Sequence, residues 1–155
     1  MVIFKEVLVP WERVFIHRNV EMCNGLYPRT QASSHTQHQS AVKALAKTEF
    51  MLGLALALSK STNIGGYSHV QGMIAEIVIS LETVKACLQA SEQTAVRTPY
   101  GTLAPNTYPL WVIRLGFPAM FRRMQEIVQQ LGASGLVGAP SIADFSADET
   151  AELAN

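Results

Sequence analysis

The sequence feature that most constrains the fold is the stretch from His35 to Ser59, which contains no proline and a single glycine, Gly53. Its first half is polar, whereas its second half, Phe50 to Leu58, is apolar on every face of a helix. A helix that is apolar all round must be enclosed by other elements. The pattern therefore predicts the central helix of a bundle. Its second half would be buried, and its polar N-terminal end would lie at the opening of a pocket.

The charge content favours a covered surface and excludes one class of partner. Only 15% of the 155 residues are charged, against about a quarter in typical domains. This low fraction predicts that an oligomer interface, or the remainder of a longer chain, covers part of the surface. Twelve basic and twelve acidic residues give a net charge of zero. Because phosphate binding needs a basic surplus, this balance argues against nucleic acid as a partner.

The cellular compartment follows from three further observations. Cys23 and Cys87 are far apart and outside any CxxC motif, which fits a reducing cytoplasm without a disulfide framework. Lys5 and Glu6 interrupt the only early apolar run, so no signal peptide is visible. The apolar run that ends at Leu58 is too short for a bilayer, which needs about 20 apolar residues. We therefore expect a cytoplasmic protein that does not enter a membrane.

Two further long helices are predicted around the central one. A single apolar stripe with three- and four-residue steps runs from Ser68 to Gln93, and a second runs from Pro118 to Leu131. Pro118 suits a helix start and Gly132 suits a helix stop. Short helices are predicted at 20–26 and 108–115, with a loop over 97–109.

The ends of the chain read differently from its middle. Residues 2–16 are rich in β-branched and aromatic side chains and contain Pro10, which predicts an edge strand of a sheet that lies upstream. The predicted organisation is the end of a β domain over 1–16, a helical bundle over 17–146 and a disordered tail over 147–155. The fold class is therefore all-α, with a short β remnant at the N-terminus.

Two groups of residues are candidates for a site. His35 and His38 share one face of the central helix, which is compatible with a metal, with contacts to a cofactor, or with a structural role. A metal is disfavoured because no Glu-x-x-His motif completes a site. The run Gly132-Ala133-Ser134-Gly135 after the last helix is either a plain helix stop or a turn that lets the backbone approach a phosphate or another chain. Arg122 and Arg123 are candidates for an anion site, but solvation or pairing with carboxylates is the favoured interpretation.

Three segments resemble one family, in the same order along the chain. The first resembles the strand that enters the C-terminal helices of acyl-CoA dehydrogenase-like flavoproteins. The second and third are most similar to the oxygenase components of 4-hydroxyphenylacetate 3-monooxygenases and their relatives. The segments are FKEVLVPWERVF (4–15), HTQHQ (35–39), and QQLGASGL (129–136) with the following PSIADF (140–145).

The resemblance implies a fold, a reaction and a set of partners. The fold is the C-terminal helical bundle of the acyl-CoA dehydrogenases, and the reaction is insertion of one oxygen atom ortho to a phenol hydroxyl. The cofactor is reduced FAD, which a separate flavin reductase supplies. The protein would orient flavin and phenol and exclude water. The family assembles through its helices, which implies a homo-oligomer, a dimer or a tetramer.

The resemblance also assigns residues. His35 and His38 match the family's HTxHQ stretch near the flavin. The turn that contains Gln129, Gly132, Ala133, Ser134 and Gly135 matches one that lies against the FAD of a neighbouring subunit. Ala133 replaces a second glycine of that turn.

One related group with the same fold is excluded by a single residue. The 4-hydroxybutyryl-CoA dehydratases hold an iron–sulfur cluster through a His and a Cys on this helix. His35 matches the histidine, but Val42 stands where the cysteine would be, and cluster binding is normally by Cys thiolates. No metal centre is expected.

Length separates this chain from the family that it resembles. Members are roughly three times as long and carry an N-terminal helical domain and a β domain that make most of the substrate and flavin contacts. The first hypothesis is therefore the C-terminal helical domain, as a fragment, of a phenol hydroxylase. The alternatives are a non-catalytic oligomerisation domain from a truncated gene and an acyl-CoA dehydrogenase-like flavoprotein. The catalytic residues and the identity of the phenol are not assigned by this portion.

Overall fold

A computed structural model describes residues 1–137 and residue 142 of the chain. Four α-helices account for most of this part, together with one short antiparallel hairpin and one 3-10 turn, so the all-α prediction is confirmed. Their bounds in chain order are a 3-10 turn at Trp11–Arg13, α1 at Val20–Thr30, α2 at Ala32–Ser61, α3 at Ser68–Gln93, β1 at Val96–Arg97, β2 at Leu103–Ala104 and α4 at Thr107–Val137.

The three long helices pack around two clusters of buried side chains. The first cluster joins the end of α2, the start of α3 and the second half of α4. The second cluster joins the start of α2, the end of α3 and the start of α4. Helices α2 and α4 therefore run parallel and pack against each other, and α3 runs antiparallel to both. The clusters are Met51, Ala55, Val70, Ile77, Met124, Ile127 and Leu131, and Ala41, Ala44, Val84, Leu88, Leu110 and Ile113.

The prediction for α3 is confirmed at both ends, Ser68 and Gln93. Its stripe supplies Ile77, Leu81, Val84 and Leu88 to the interior. Helix α2 ends at Ser61, close to the predicted end, and begins three residues before the predicted start. Periodic helices of this length are well determined by their apolar stripe because the same face must stay buried over many turns.

The predicted enclosure of α2 is wrong for the described chain. Met51 and Ala55 are buried, but Phe50 is 69% exposed and Leu56 is 48% exposed. Two neighbouring helices cover one side of α2, and its opposite side stays open. An exposed apolar surface of this kind on one side of a helix is typical of a site that another protein surface covers.

Helix α4 replaces two predicted helices and a predicted stop. The expected helices 108–115 and 118–131 form one helix with Pro118 inside it, and the helix continues past Gly132 to Val137. A proline inside a helix removes one hydrogen bond, which costs about 3 kcal/mol or more. Packing on both sides of Pro118, by Leu110 and Ile113 before it and by Met124 and Ile127 after it, offsets this cost.

The N-terminal segment forms no strand, which corrects the prediction for residues 2–16. The structure places only the 3-10 turn Trp11–Arg13 there, and Leu8 and Phe15 are exposed. A strand needs a partner for its backbone hydrogen bonds, and no described residue supplies one. The two strands among the described residues lie instead at the start of and within the loop predicted over 97–109, where Val96 pairs with Ala104 and Arg97 with Leu103. Gly101, with φ of 81°, allows the turn between them.

The junction between α1 and α2 also differs from expectation. Asn19 caps α1 by accepting a hydrogen bond from Met22 N at 2.9 Å, and α1 continues through Pro28 to Thr30. Gln31 then adopts a left-handed conformation with φ of 56°, and α2 begins without a side-chain cap. Ser34, in the first turn of α2, donates a hydrogen bond from Oγ to the carbonyl of Pro105.

Arg123 pairs with carboxylates, as expected. Its Nε and Nη2 donate to the two oxygens of Glu76 at 2.8 and 2.9 Å, which ties α4 to α3. These hydrogen bonds from Arg123 hold the pKa of the Glu76 carboxyl below its usual value. The same pair raises the pKa of Arg123.

We expect Glu76→Gln to lower the free energy of unfolding slightly at neutral pH and not at all at strongly acidic pH. The folded pKa of Glu76 is depressed, so its contribution is present above the unfolded value of about 4.5. It is lost as the pH falls through the folded pKa. The effect is small because both side chains are partly exposed. Urea unfolding of both proteins across the acid range measures it; a constant difference at every pH would contradict it.

The cysteines and the helix hydropathy bear on the environment of the protein. Cys23 and Cys87 are both unpaired. Among the described helices, none combines the length and the hydropathy that crossing a bilayer requires.

Candidate functional site

The first candidate group lies at the N-terminal end of α2, as predicted. His35 has an exposed side chain. His38 is half-buried, and its Nε2 lies 2.8 Å from Glu92 Oε1 on α3. The structure therefore gives His38 a partner in the bundle and leaves the imidazole of His35 accessible to a ligand. Within residues 1–137 and residue 142, no three His, Cys, Asp or Glu side chains lie together as metal ligands.

A polar cluster beside this end of α2 was missed by sequence reasoning. Ser91 is fully buried, and its Oγ donates to the carbonyl of Asn106 at 2.7 Å. Asn106 N donates to the carbonyl of Ser91 at 3.0 Å, and Asn106 Nδ2 donates to Thr94 Oγ1 at 3.0 Å. With the bond from Ser34 to Pro105, these contacts fix the hairpin loop against α2 and α3. The available signal was a serine, Ser91, at a core position of the α3 stripe.

The second candidate group lies inside α4 rather than in a turn. Gln129 and Ala133 are exposed and Gly132 is half-buried. Gly135 belongs to the helix, as does Ser134, whose side chain is outside the described part. A side chain added at Gly132 would meet no atom of the described residues within 4 Å, so the backbone surface there is open to close approach by a ligand. The backbone of this segment is helical, however, so its N–H groups are not presented as in an anion-binding turn. Of the PSIADF segment, only Ile142, which is exposed, lies within the described residues.

The two groups lie at opposite ends of the bundle. His38 is beside the cluster that contains Leu110, whereas Gly132 follows Leu131 in the other cluster. The rise of 1.5 Å per residue along α4 puts these ends roughly 30 Å apart. One chain does not bring the two groups together, so they do not form one site within a single copy.

A groove runs along the bundle surface between the N-terminal halves of α2 and α4. Its volume is about 510 Å³. Three basic side chains line it, Lys43 and Lys47 from α2 and Arg114 from α4, and none of its described lining residues is acidic. Its polar end carries Gln37, which is 6% exposed. The remaining lining residues are Thr36, Ser40, Ala41, Ala44, Leu110, Ile113, Phe117, Pro118 and Phe121. Sequence reasoning missed this groove because its charges come from two helices about 70 residues apart.

Comparison with known proteins gives one consistent answer. Residues 23–155 match the family model described as HpaB, 4-hydroxyphenylacetate 3-hydroxylase C terminal. The chain is 44% identical over 145 residues to the 4-hydroxyphenylacetate 3-monooxygenase oxygenase component of Thermus thermophilus, covering 94% of this chain and 30% of that protein. It is 40% identical over 153 residues to the oxygenase component of Geobacillus sp., covering 99% of this chain and 31% of that protein.

A solved structure agrees with the sequence relatives. The chain superposes with a TM-score of 0.81, at 43% identity, on the crystal structure of the oxygenase component (HpaB) of 4-hydroxyphenylacetate 3-monooxygenase complexed with FAD and 4-hydroxyphenylacetate. The match covers 94% of this chain and 31% of that one. The chain thus spans about a third of the length of the proteins that it matches.

Proposed function

The chain belongs to the 4-hydroxyphenylacetate 3-hydroxylase C-terminal family, and from this premise we propose that it is the C-terminal helical portion of a reduced-FAD-dependent aromatic hydroxylase. The reaction is insertion of one oxygen atom ortho to a phenol hydroxyl, with 4-hydroxyphenylacetate as the type of substrate. The observation that carries the proposal is the match of residues 23–155 to the family. The superposition on a relative that was crystallised with FAD and 4-hydroxyphenylacetate supports it.

The residues of this chain fit a flavin in part. His35 is exposed at the mouth of the bundle, and the backbone at Gly132 is open to close approach. His38, bound to Glu92, would hold the orientation of this end of α2. Because the two groups are roughly 30 Å apart along the bundle, each would contact a different FAD molecule in an assembly. His35 and His38 would lie at one flavin, and Gln129, Gly132, Ala133, Ser134 and Gly135 at another.

When bound, reduced FAD would supply the two electrons that activate O2, and the transferred oxygen atom would come from that O2. The helices of this chain would form one side of the flavin-binding site. The helices form a rigid wall, and their packing would keep water from one side of the flavin. His35 would bind and orient the cofactor from the end of α2.

The proposed partners follow from the same premise and from the exposed surface. A separate flavin reductase would supply the reduced cofactor, and a phenol would be the substrate. The open side of α2, which carries Phe50 and Leu56, would be covered in a homo-oligomer, a dimer or a tetramer. The working compartment would be the cytoplasm.

The direct test is anaerobic titration of reduced FAD into the purified 155-residue chain, followed by its melting temperature. A ligand present at 100 times its Kd raises the free energy of unfolding by about 2.7 kcal/mol. A rise in melting temperature that saturates with reduced FAD is expected. No change at millimolar FAD would contradict the proposed flavin contacts and favour a non-catalytic oligomerisation domain.

We expect Gly132→Val to weaken reduced FAD binding about tenfold, which corresponds to about 1.4 kcal/mol. The added side chain fills the surface that the cofactor would approach. The matched control is Gly53→Val on α2, because at either position an added Cβ meets no atom within 4 Å in the part of the chain that the structure describes. Both variants should fold, and only Gly132→Val should reduce the thermal shift. Equal shifts for the two variants would remove Gly132 from the flavin site.

A further inference from the structure

We propose that the groove between α2 and α4 binds an aromatic anion, a ligand in which a planar ring is joined to a phosphate or a carboxylate. Lys43 and Lys47 lie one helical turn apart on α2, and Arg114 lines the same groove from α4. No carboxylate of residues 1–137 lines the groove. Since the chain has no net charge, this cluster of three positive charges is a local feature and not a consequence of composition.

The three cations have no acidic partner in the part of the chain that the structure describes. Ion pairs there involve Arg29, His38, Lys85 and Arg123 instead. Lys47 Nζ lies 4.8 Å from the centroid of the Phe121 ring, and the guanidinium of Arg114 lies 5.3 Å from that of Trp111. Three like charges on one groove repel one another, and a bound anion would relieve this repulsion and accept charge-assisted hydrogen bonds.

The walls of the groove suit a ring. Phe117 and Phe121 stack with centroids 5.7 Å apart, and Leu110 and Ile113 extend this apolar surface. Aromatic faces bind planar ligands through offset stacking and burial of apolar area. A volume of about 510 Å³ also lies within the range of small-molecule sites, about 300–1,000 Å³.

The polar end of the groove offers an unused acceptor. Gln37 is 6% exposed, and its Oε1 has no hydrogen-bond partner among the described residues. Its amide nitrogen makes one long contact, 3.4 Å, to Ser33 Oγ. A buried polar atom without a partner destabilises the folded state. Rotation about the soft terminal torsion of Gln37 would let Oε1 accept a hydrogen bond from an N–H or O–H of the ligand.

The anionic group of such a ligand has two possible forms, the phosphate of a flavin nucleotide and the carboxylate of a phenolic acid. The inference stands on the charges and shape of the groove, so it does not need the proposed hydroxylation. Two matched ligand pairs separate these forms. Riboflavin is FMN without its phosphate, and 4-hydroxyphenethyl alcohol is 4-hydroxyphenylacetate with an alcohol in place of the carboxylate.

The experiment is isothermal titration of the purified chain with these four ligands. We expect one anion to bind with a Kd at least tenfold lower than its neutral counterpart, and its affinity to fall at high salt because the attraction is screened. A preference for FMN would make the groove part of a flavin site, and a preference for 4-hydroxyphenylacetate would make it a phenol site. Equal affinity within both pairs, or no binding in either, would overturn the proposal.

Substitutions locate the binding in the groove. Lys43→Gln and Arg114→Gln should each raise the Kd of the preferred anion about tenfold. Both side chains are exposed, so the variants should keep the melting temperature of the unsubstituted chain. The matched control is Lys60→Gln, an exposed lysine of α2 outside the groove, which should leave the Kd unchanged. An unchanged Kd in both groove variants, or an equal loss in Lys60→Gln, would overturn the assignment.

Discussion

Replacing Ile77 by Ala is expected to lower the free energy of unfolding by about 2–5 kcal/mol. Ile77 is 0% exposed and lies in the cluster that joins α3 to Met124 and Ile127 of α4 and to Met51 of α2. The substitution removes three carbon atoms from a site that three helices enclose. The surrounding helices cannot collapse fully into the cavity because each is also held by the second cluster.

Urea unfolding followed by circular dichroism measures the effect. The midpoint should fall while the dependence on urea concentration stays the same, since the folded surface does not change. The matched control is Ile79→Ala on the same helix, because Ile79 is 66% exposed. That change should stay within about 0.5 kcal/mol. Similar losses for the two variants would show that α3 does not face the core as described.

The sequence was most informative where a stripe covers many turns. Helix α3 begins and ends at the predicted residues because an apolar face with Ile77 and Leu81 on it must stay buried over its full length. It was least informative at Pro118 and Gly132, which were read as a start and a stop. Local preferences favour ends at both residues, but core contacts before and after Pro118 outweigh its preference. Only the packing of α4 against two helices reveals this balance.

In the candidate site, too, relations between residues close in sequence could be predicted, whereas contacts between distant residues could not. The position of His35 and His38 on one helix could be predicted because three-residue spacing fixes a shared face. The bond from His38 to Glu92 could not, because those residues are 54 positions apart. The groove forms because Lys43 on α2 and Arg114 on α4 line the same surface of two parallel helices. A periodicity along the sequence does not predict which residues of two distant helices come together.

Replacing Pro118 by Ala is the second substitution with a large expected effect, and its sign is opposite. We expect the free energy of unfolding to rise by about 1–3 kcal/mol. Pro118 lies inside α4, where it removes a hydrogen bond and crowds the preceding turn at a cost of about 3 kcal/mol or more. Part of the gain is cancelled because alanine makes the unfolded chain less restricted, by about 0.4–1 kcal/mol. Little packing is lost, because the proline side chain is exposed.

The matched control is Pro109→Ala in the same helix. Pro109 is the third residue of α4, where the N–H has no partner within the helix, so its removal relieves no lost hydrogen bond. Urea unfolding should show stabilisation for Pro118→Ala alone. Equal stabilities for the two variants would mean that α4 bends at Pro118 at no cost, and a loss would mean that the ring packs in the folded state. Because Pro118 also lines the groove, a more stable variant with weaker binding of the aromatic anion would show that this residue shapes the groove at the expense of stability.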